Sequence, residues 1–264
     1  MVCNRRVALT AAAAWAATWT VGCATPSTKP DFVLVHGAWH GAWCWDRVTP
    51  ILRQAGHRVF TPTLPGQGER AAELSADVNL ETHIADVVQY IESRRLQNVV
   101  LVGHSYGGLV VSGVADRIAP RLRKLIYLDA LVLDSGQSIA ALSGASWENR
   151  LKAVREQGRG LGLPALPPEA FGVLEPQDQA WLAPRLTLQP VHTFDQPLVL
   201  RNPLGNGVPK VYIDCNQPAM GSVNAFKAKV KQQAGWTAYE TLPTGHDAMV
   251  TLPEGLVQLF LEHA

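Results

Sequence analysis

The chain has 264 residues, 47% of them hydrophobic and 17% charged, a composition that fits one globular domain with a sizeable core. Lys plus Arg (23) nearly cancels Asp plus Glu (22), so no strong field favours nucleic acid or another highly charged partner. The sequence shows no Walker A loop, no basic stripe interleaved with aromatics and no zinc-ligand spacing, so neither a metal nor a cofactor is expected.

Residues 1–30 separate from the fold. Arg5 and Arg6 precede a run from Val7 to Val21 with the character of an export signal, too short for a comfortable membrane span. Thr20-Val21-Gly22-Cys23 resembles a bacterial lipobox, which would lipidate Cys23. The expectation is an exported protein, periplasmic or held at a membrane only through that lipid, with its domain over 31–264.

Asp31 to Val35 is an apolar run ending in a Gly turn, the pattern of a strand buried on both faces. Trp45 to Ala55 has helical spacing and stops at Gly56, and His57 to Pro62 predicts a second strand. A helix is expected from Asn79 or Leu80 to Arg95, a strand from Asn98 to Val102, a helix from Tyr106 to Ile118 and a strand from Lys124 to Leu128. Strands alternating with helices predict an α/β fold with a mostly parallel sheet and helices on both faces.

The alternation fails from Asp134 to about Gly207. This Pro-rich stretch carries Trp147, Phe171, Trp181 and Phe194, and reads as a helical cap over the strand carboxyl ends. The rhythm resumes with a strand over Lys210 to Ile213, a helix over Val223 to Ala234, a strand over Thr237 to Leu242 and a helix after Pro253. Cys44 and Cys215 are the two cysteines outside the signal, and an oxidising compartment would permit them to pair.

Gly103-His104-Ser105-Tyr106-Gly107 fits Gly-x-Ser-x-Gly between a predicted strand and a predicted helix. Such a turn holds a serine in strained backbone geometry with its hydroxyl exposed, which makes Ser105 the candidate nucleophile. A seryl hydroxyl needs a base, and His246 lies in a turn after the last predicted strand, where the base belongs in this order. His36 and His40 flank the first turn and read as shaping residues; His104 shapes the elbow or the pocket. The oxyanion donors expected are the backbone amides of Tyr106 and Ala38, the second from the turn His36-Gly37-Ala38-Trp39. Gly37, Trp39, His104 and Trp181 are the candidate substrate contacts.

Phe32-Val-Leu-Val-His36-Gly-Ala-Trp39, Leu101-Val-Gly-His-Ser105-Tyr-Gly-Gly108 and Thr244-Gly-His246-Asp-Ala-Met249 resemble the methyl-salicylate esterase and hydroxynitrile lyase family of α/β-hydrolases, and within it the bacterial carboxylesterases. The likeness covers nearly the whole chain after residue 30, the cap least. It implies a Ser-His-acid triad and no cofactor. In the plant members the acid follows the strand before the histidine, where this chain has Pro218. Asp129, in Tyr127-Leu-Asp129-Ala130, resembles the acid context of haloalkane dehalogenases and is the preferred acid; Asp214, then Asp134 and Asp247, are alternatives.

The lyases carry Thr in the oxyanion turn and Lys after the base, where this chain has Gly37 and Asp247. The resemblance therefore implies ester hydrolysis through an acyl-enzyme on Ser105, with a small hydrophobic or aromatic ester as partner. A lyase, or a non-catalytic ligand-binding protein on the same fold, is the alternative.

Overall fold

The computed structural model describes residues 29–264. The export and lipidation readings, Cys23 included, lie outside the described residues. Among the described residues no helix is long and apolar enough to cross a membrane.

In chain order the elements are β1 (Asp31–Val35), α1 (Thr49–Gln54), β2 (Val59–Phe60), α2 (Leu80–Ser93), β3 (Val99–His104), α3 (Gly107–Ile118) and β4 (Leu122–Leu128). The cap holds α4 (Ile139–Ser143), α5 (Ser146–Gln157), β5 (Gly162–Leu163), α6 (Pro176–Leu182), β6 (Gln189–Pro190) and α7 (His192–Asp195). Then come β7 (Lys210–Cys215), α8 (Asn224–Gln232), β8 (Ala238–Leu242), α9 (Ala248–Thr251) and α10 (Pro253–Glu262).

The main sheet runs β2-β1-β3-β4-β7-β8, with every described pairing parallel. A parallel sheet is covered on both faces, which is why β1 and β3 are buried along their whole length. Helix α2 starts where Asn79 accepts from the Thr82 amide and Thr82 returns a bond to the Asn79 backbone, a capping box worth roughly 1 kcal/mol. Its apolar stripe of Leu80, Ile84, Val87 and Ile91 is buried.

Three boundaries differ from expectation. The helix expected over Trp45–Ala55 splits into a 3-10 turn, Ala42–Trp45, and α1, because Pro50 has no amide to continue a ladder but suits a helix's first turn. The strand expected over 57–62 pairs only at Val59 and Phe60. The cap contributes its own two-stranded sheet, β5 with β6. Cys44 and Cys215 are both buried and free, so the possible disulfide is absent.

The strand order matters for function. β1 lies between β2 and β3, so the chain leaves β1 in one direction and returns on its other side. Loops diverge at such a point and leave a crevice at the carboxyl ends. Val35 of β1 pairs with Gly103 of β3, which sets the turn after β1 beside the turn after β3.

Candidate active site

Ser105 sits between β3 and α3 with φ of 53°, in the left-handed region that side chains avoid. The surroundings impose it. Its amide donates to Leu128 O at 3.0 Å, and its carbonyl accepts from the Leu131 amide at 3.0 Å, so both sides of the peptide are tied to the end of β4. Gly107 must lack a side chain, since a Cβ there would stand 2.8 Å from His36 O. Trp39 and Asp129 also have positive φ, which places strained backbone at the ends of β1, β3 and β4.

Asp129 is fully buried and accepts three hydrogen-bond donors. His246 Nδ1–H donates to Oδ2 at 2.6 Å, the Cys215 amide donates to Oδ1 at 3.1 Å, and Lys227 Nζ lies 2.7 Å from Oδ1. The bond to His246 orients its ring, as a carboxylate behind a histidine does by holding Nδ1–H. Phe171 stacks along the His246 ring at 6.3 Å between centroids. Among the described residues no hydrogen bond joins the Ser105 hydroxyl to the His246 ring; nucleophile–base bonds commonly tighten only when substrate is bound.

The alternative acids are engaged elsewhere. Asp214 accepts from Lys227 at 2.7 Å and from the Tyr239 hydroxyl at 2.7 Å. Burial would raise its carboxyl, but these two donors hold it below the ordinary range. Asp134 pairs with Lys229 and Asp247 with His40.

The turn after β1 owes its orientation to two histidines. His36 Nδ1–H donates to Gly37 O at 2.8 Å while its Nε2 accepts from the Leu64 amide at 3.0 Å. Burial pushes this ring down to about 3, so it is neutral, as those bonds require. Gly37 O and the Ala38 N–H share one planar peptide, so fixing the carbonyl aims the amide the opposite way. The next peptide is already occupied: Ala38 O accepts from His40 Nδ1 at 2.7 Å, and the Trp39 amide donates to Gln189 Oε1 at 3.2 Å. His40 faces an acceptor on each nitrogen, Ala38 O and the Asp247 carboxylate at 3.0 Å. Burial works against its charge, yet Asp247 outweighs that and raises its pKa.

A cavity of about 560 Å³ lies over these turns, lined by Ala38, Trp39, Ser105, Tyr106, Leu131, Phe194, Met220 and Phe226. Trp39 joins core to cap, its indole N–H donating to Leu163 O at 3.1 Å. The Tyr106 ring stacks on Phe194, and its hydroxyl donates to His83 Nδ1 at 2.9 Å. Thus Ser105, Ala38, Tyr106 and Trp39 all line this cavity.

Three expected substrate contacts are elsewhere. Trp181 does not line the cavity: it packs on Trp43, with the guanidinium groups of Arg47 and Arg185 over its ring, a cation–π cluster where the cap meets the segment after β1. His104 is buried beneath the floor, its Nε2–H donating to His246 O at 3.1 Å. Gly37 acts by absence, since a Cβ there would meet His104 Nδ1 at 2.8 Å and Ser105 Cβ at 3.0 Å. Of the cap aromatics, Phe194 lines the cavity and Phe171 reaches His246, while Trp147 lines a separate cleft.

Among the described residues His104, His246 and Asp247 have ligand atoms within 4.8 Å of one another. Each also makes an internal bond, to the His246 carbonyl, to Asp129 and to His40 respectively. Lys227 was not legible as a site residue: it belongs to a run of alternating lysines in α8 that looks like a solvated face.

The sequence profile of the Alpha/beta hydrolase family matches residues 32–259. The chain is 40% identical over 237 residues to a carbendazim hydrolyzing esterase of Nocardioides sp., covering 86% of this chain and 97% of that protein. It is 27% identical to a pyrethroid hydrolase of Sphingobium wenxiniae, covering 90% and 88%. Among solved structures, an extracellular alpha/beta-hydrolase from a Paenibacillus species, described as homologous to tobacco salicylic acid binding protein 2, superposes with a TM-score of 0.77 at 23% identity, covering 89% of this chain and 99% of that one.

Proposed function

The chain belongs to the alpha/beta hydrolase family and is an esterase-type member of it, and on that premise we propose that it cleaves carboxylic esters through an acyl-enzyme formed on Ser105. The observation that carries the reading is the 2.6 Å bond from His246 Nδ1 to the buried Asp129, below a cavity whose wall includes the strained Ser105.

In this reading the Ser105 oxygen attacks the ester carbonyl as its proton passes to His246 Nε2. Asp129 stabilises the resulting imidazolium, and the Ala38 and Tyr106 amides receive the oxyanion. His246 then gives its proton to the departing alcohol. Water, deprotonated by the same ring, attacks the acyl-enzyme and releases the acid. The apolar cavity wall supports a hydrophobic or aromatic ester as substrate.

Hydrolysis is favoured over lyase chemistry by two observations. Gly37 has no room for a threonine beside Ser105 and His104 without displacement. Asp247, after the base, is buried on His40 and presents nothing to the cavity. The test is turnover of 4-nitrophenyl acetate and butyrate by wild type and Ser105→Ala. Equal rates for the two proteins would refute the reading. Export with a lipid on Cys23 is part of the proposal, tested by palmitate labelling of wild type and Cys23→Ala in a bacterial host.

A further inference from the structure

Among the described residues three charged side chains line the cavity that holds Ser105: Asp134, Arg150 and Lys229. Two neutralise each other, since Lys229 Nζ lies 2.7 Å from Asp134 Oδ1. Arg150 differs. It belongs to α5 of the cap and is half-buried, and among the described residues it has no carboxylate, carbonyl or ring as a partner. Burial pulls its guanidinium below its ordinary value, with no neighbouring charge to offset that cost. An arginine nonetheless stays protonated. Among the described residues the cavity therefore keeps Arg150 as a cation without a counter-charge, in a wall built mainly of apolar residues such as Leu131, Ile139, Leu142 and Phe226. A guanidinium offers five donors in a planar fork, and its matching partner is a carboxylate.

We propose that Arg150 is a specificity-determining residue that binds a carboxylate on the substrate, so that the preferred substrates are apolar or aromatic esters bearing a second, acidic group. This rests on the ester-hydrolase reading and sharpens it. The aromatic body would lie on the apolar wall, and the acidic group would supply the charge that Arg150 lacks inside the protein.

The test compares monomethyl terephthalate with methyl 4-methylbenzoate, which share ring and scissile ester but differ in the remote group. Wild type should favour the carboxylate-bearing ester, and Arg150→Met should lower the ratio of the two kcat/KM values by about 10- to 100-fold, the worth of one charge-assisted bond. Arg150→Lys should recover part of that ratio. Binding of monomethyl terephthalate to Ser105→Ala protein, measured by calorimetry, should weaken to a similar extent when Arg150→Met is added. An unchanged ratio together with unchanged binding overturns the proposal and leaves the ester reading intact. Arg150-dependent binding with no turnover of either ester by wild type would do the reverse.

Discussion

Lys227 is the residue whose removal tests the electrostatics behind the candidate acid. Its Nζ lies 2.7 Å from Asp129 Oδ1, 2.7 Å from Asp214 Oδ1 and 2.6 Å from Cys215 O, with only 7% of the side chain exposed. Burial alone would lower its pKa, but the two carboxylates reverse that and raise it. Lys227→Met keeps most of the stem volume and leaves two buried carboxylates without their shared cation. Breaking a buried pair from one side costs about 3–5 kcal/mol. At roughly 2–4 °C per kcal/mol for a chain of this size, Tm should fall by about 6–20 °C near neutral pH.

The pH dependence follows from the signs. The Asp214 carboxyl is held below its ordinary 3.8, so its contribution is present above that value and disappears as pH falls through the lowered one. The raised Lys227 contributes below its ordinary 10.5 and loses that contribution as pH rises through the raised value. The difference between wild type and Lys227→Met should therefore be widest between about pH 5 and 9 and shrink below about pH 4. Asp214→Asn added to Lys227→Met should recover part of the loss, because one of the stranded charges is gone. Denaturant unfolding across pH reads all of this. A Lys227→Met protein within about 0.5 kcal/mol of wild type at pH 7 would refute the account.

Asp129→Asn should keep the fold and lower kcat by on the order of 10⁴-fold, the loss seen when a triad acid becomes an amide, while Asp214→Asn retains far more activity. The reverse ranking would return the acid to the end of β7. Gly37→Thr should lower kcat/KM for every ester by about 100-fold or more, because its Cβ would crowd the Ser105 Cβ at 3.0 Å and disturb the turn that aims the Ala38 amide; steady-state kinetics on a short ester series checks this. His83 is buried and held down to about 4, with burial as the main cause, so the folded state binds fewer protons than the unfolded chain between about pH 6.5 and 4. His83→Gln should remove an acid-side stability loss on the order of 3 kcal/mol, seen as a flatter unfolding free energy from pH 7 to 4.

Most of the fold was legible because parallel strands buried on both faces write themselves as apolar runs. The stretches Asp31–Val35, Asn98–Val102 and Lys124–Leu128 lie within or against β1, β3 and β4. Ser105 and His246 stood out as candidates for a related reason: a Gly-x-Ser-x-Gly turn between strand and helix and a histidine after the last strand are local patterns with fixed order. Trp181 was misjudged because an aromatic in a cap carries no mark of which partner it meets, and Trp43, Arg47 and Arg185 engage it away from the cavity, at another point of the cap.

Sequence alone singled out Ser105, His246 and the turn His36–Trp39 as candidates, since each stands in a local pattern of a few residues at a strand end. It narrowed the acid to a few carboxylates and preferred Asp129. Only the tertiary structure decided the matter of contact, because Asp129 and His246 stand 117 positions apart and meet through strand order, with β7 between their strands. The same holds for Lys227 and Arg150. Each looks like an ordinary surface cation in its helix, and packing alone buries one against two carboxylates and leaves the other facing the cavity without a partner among the described residues.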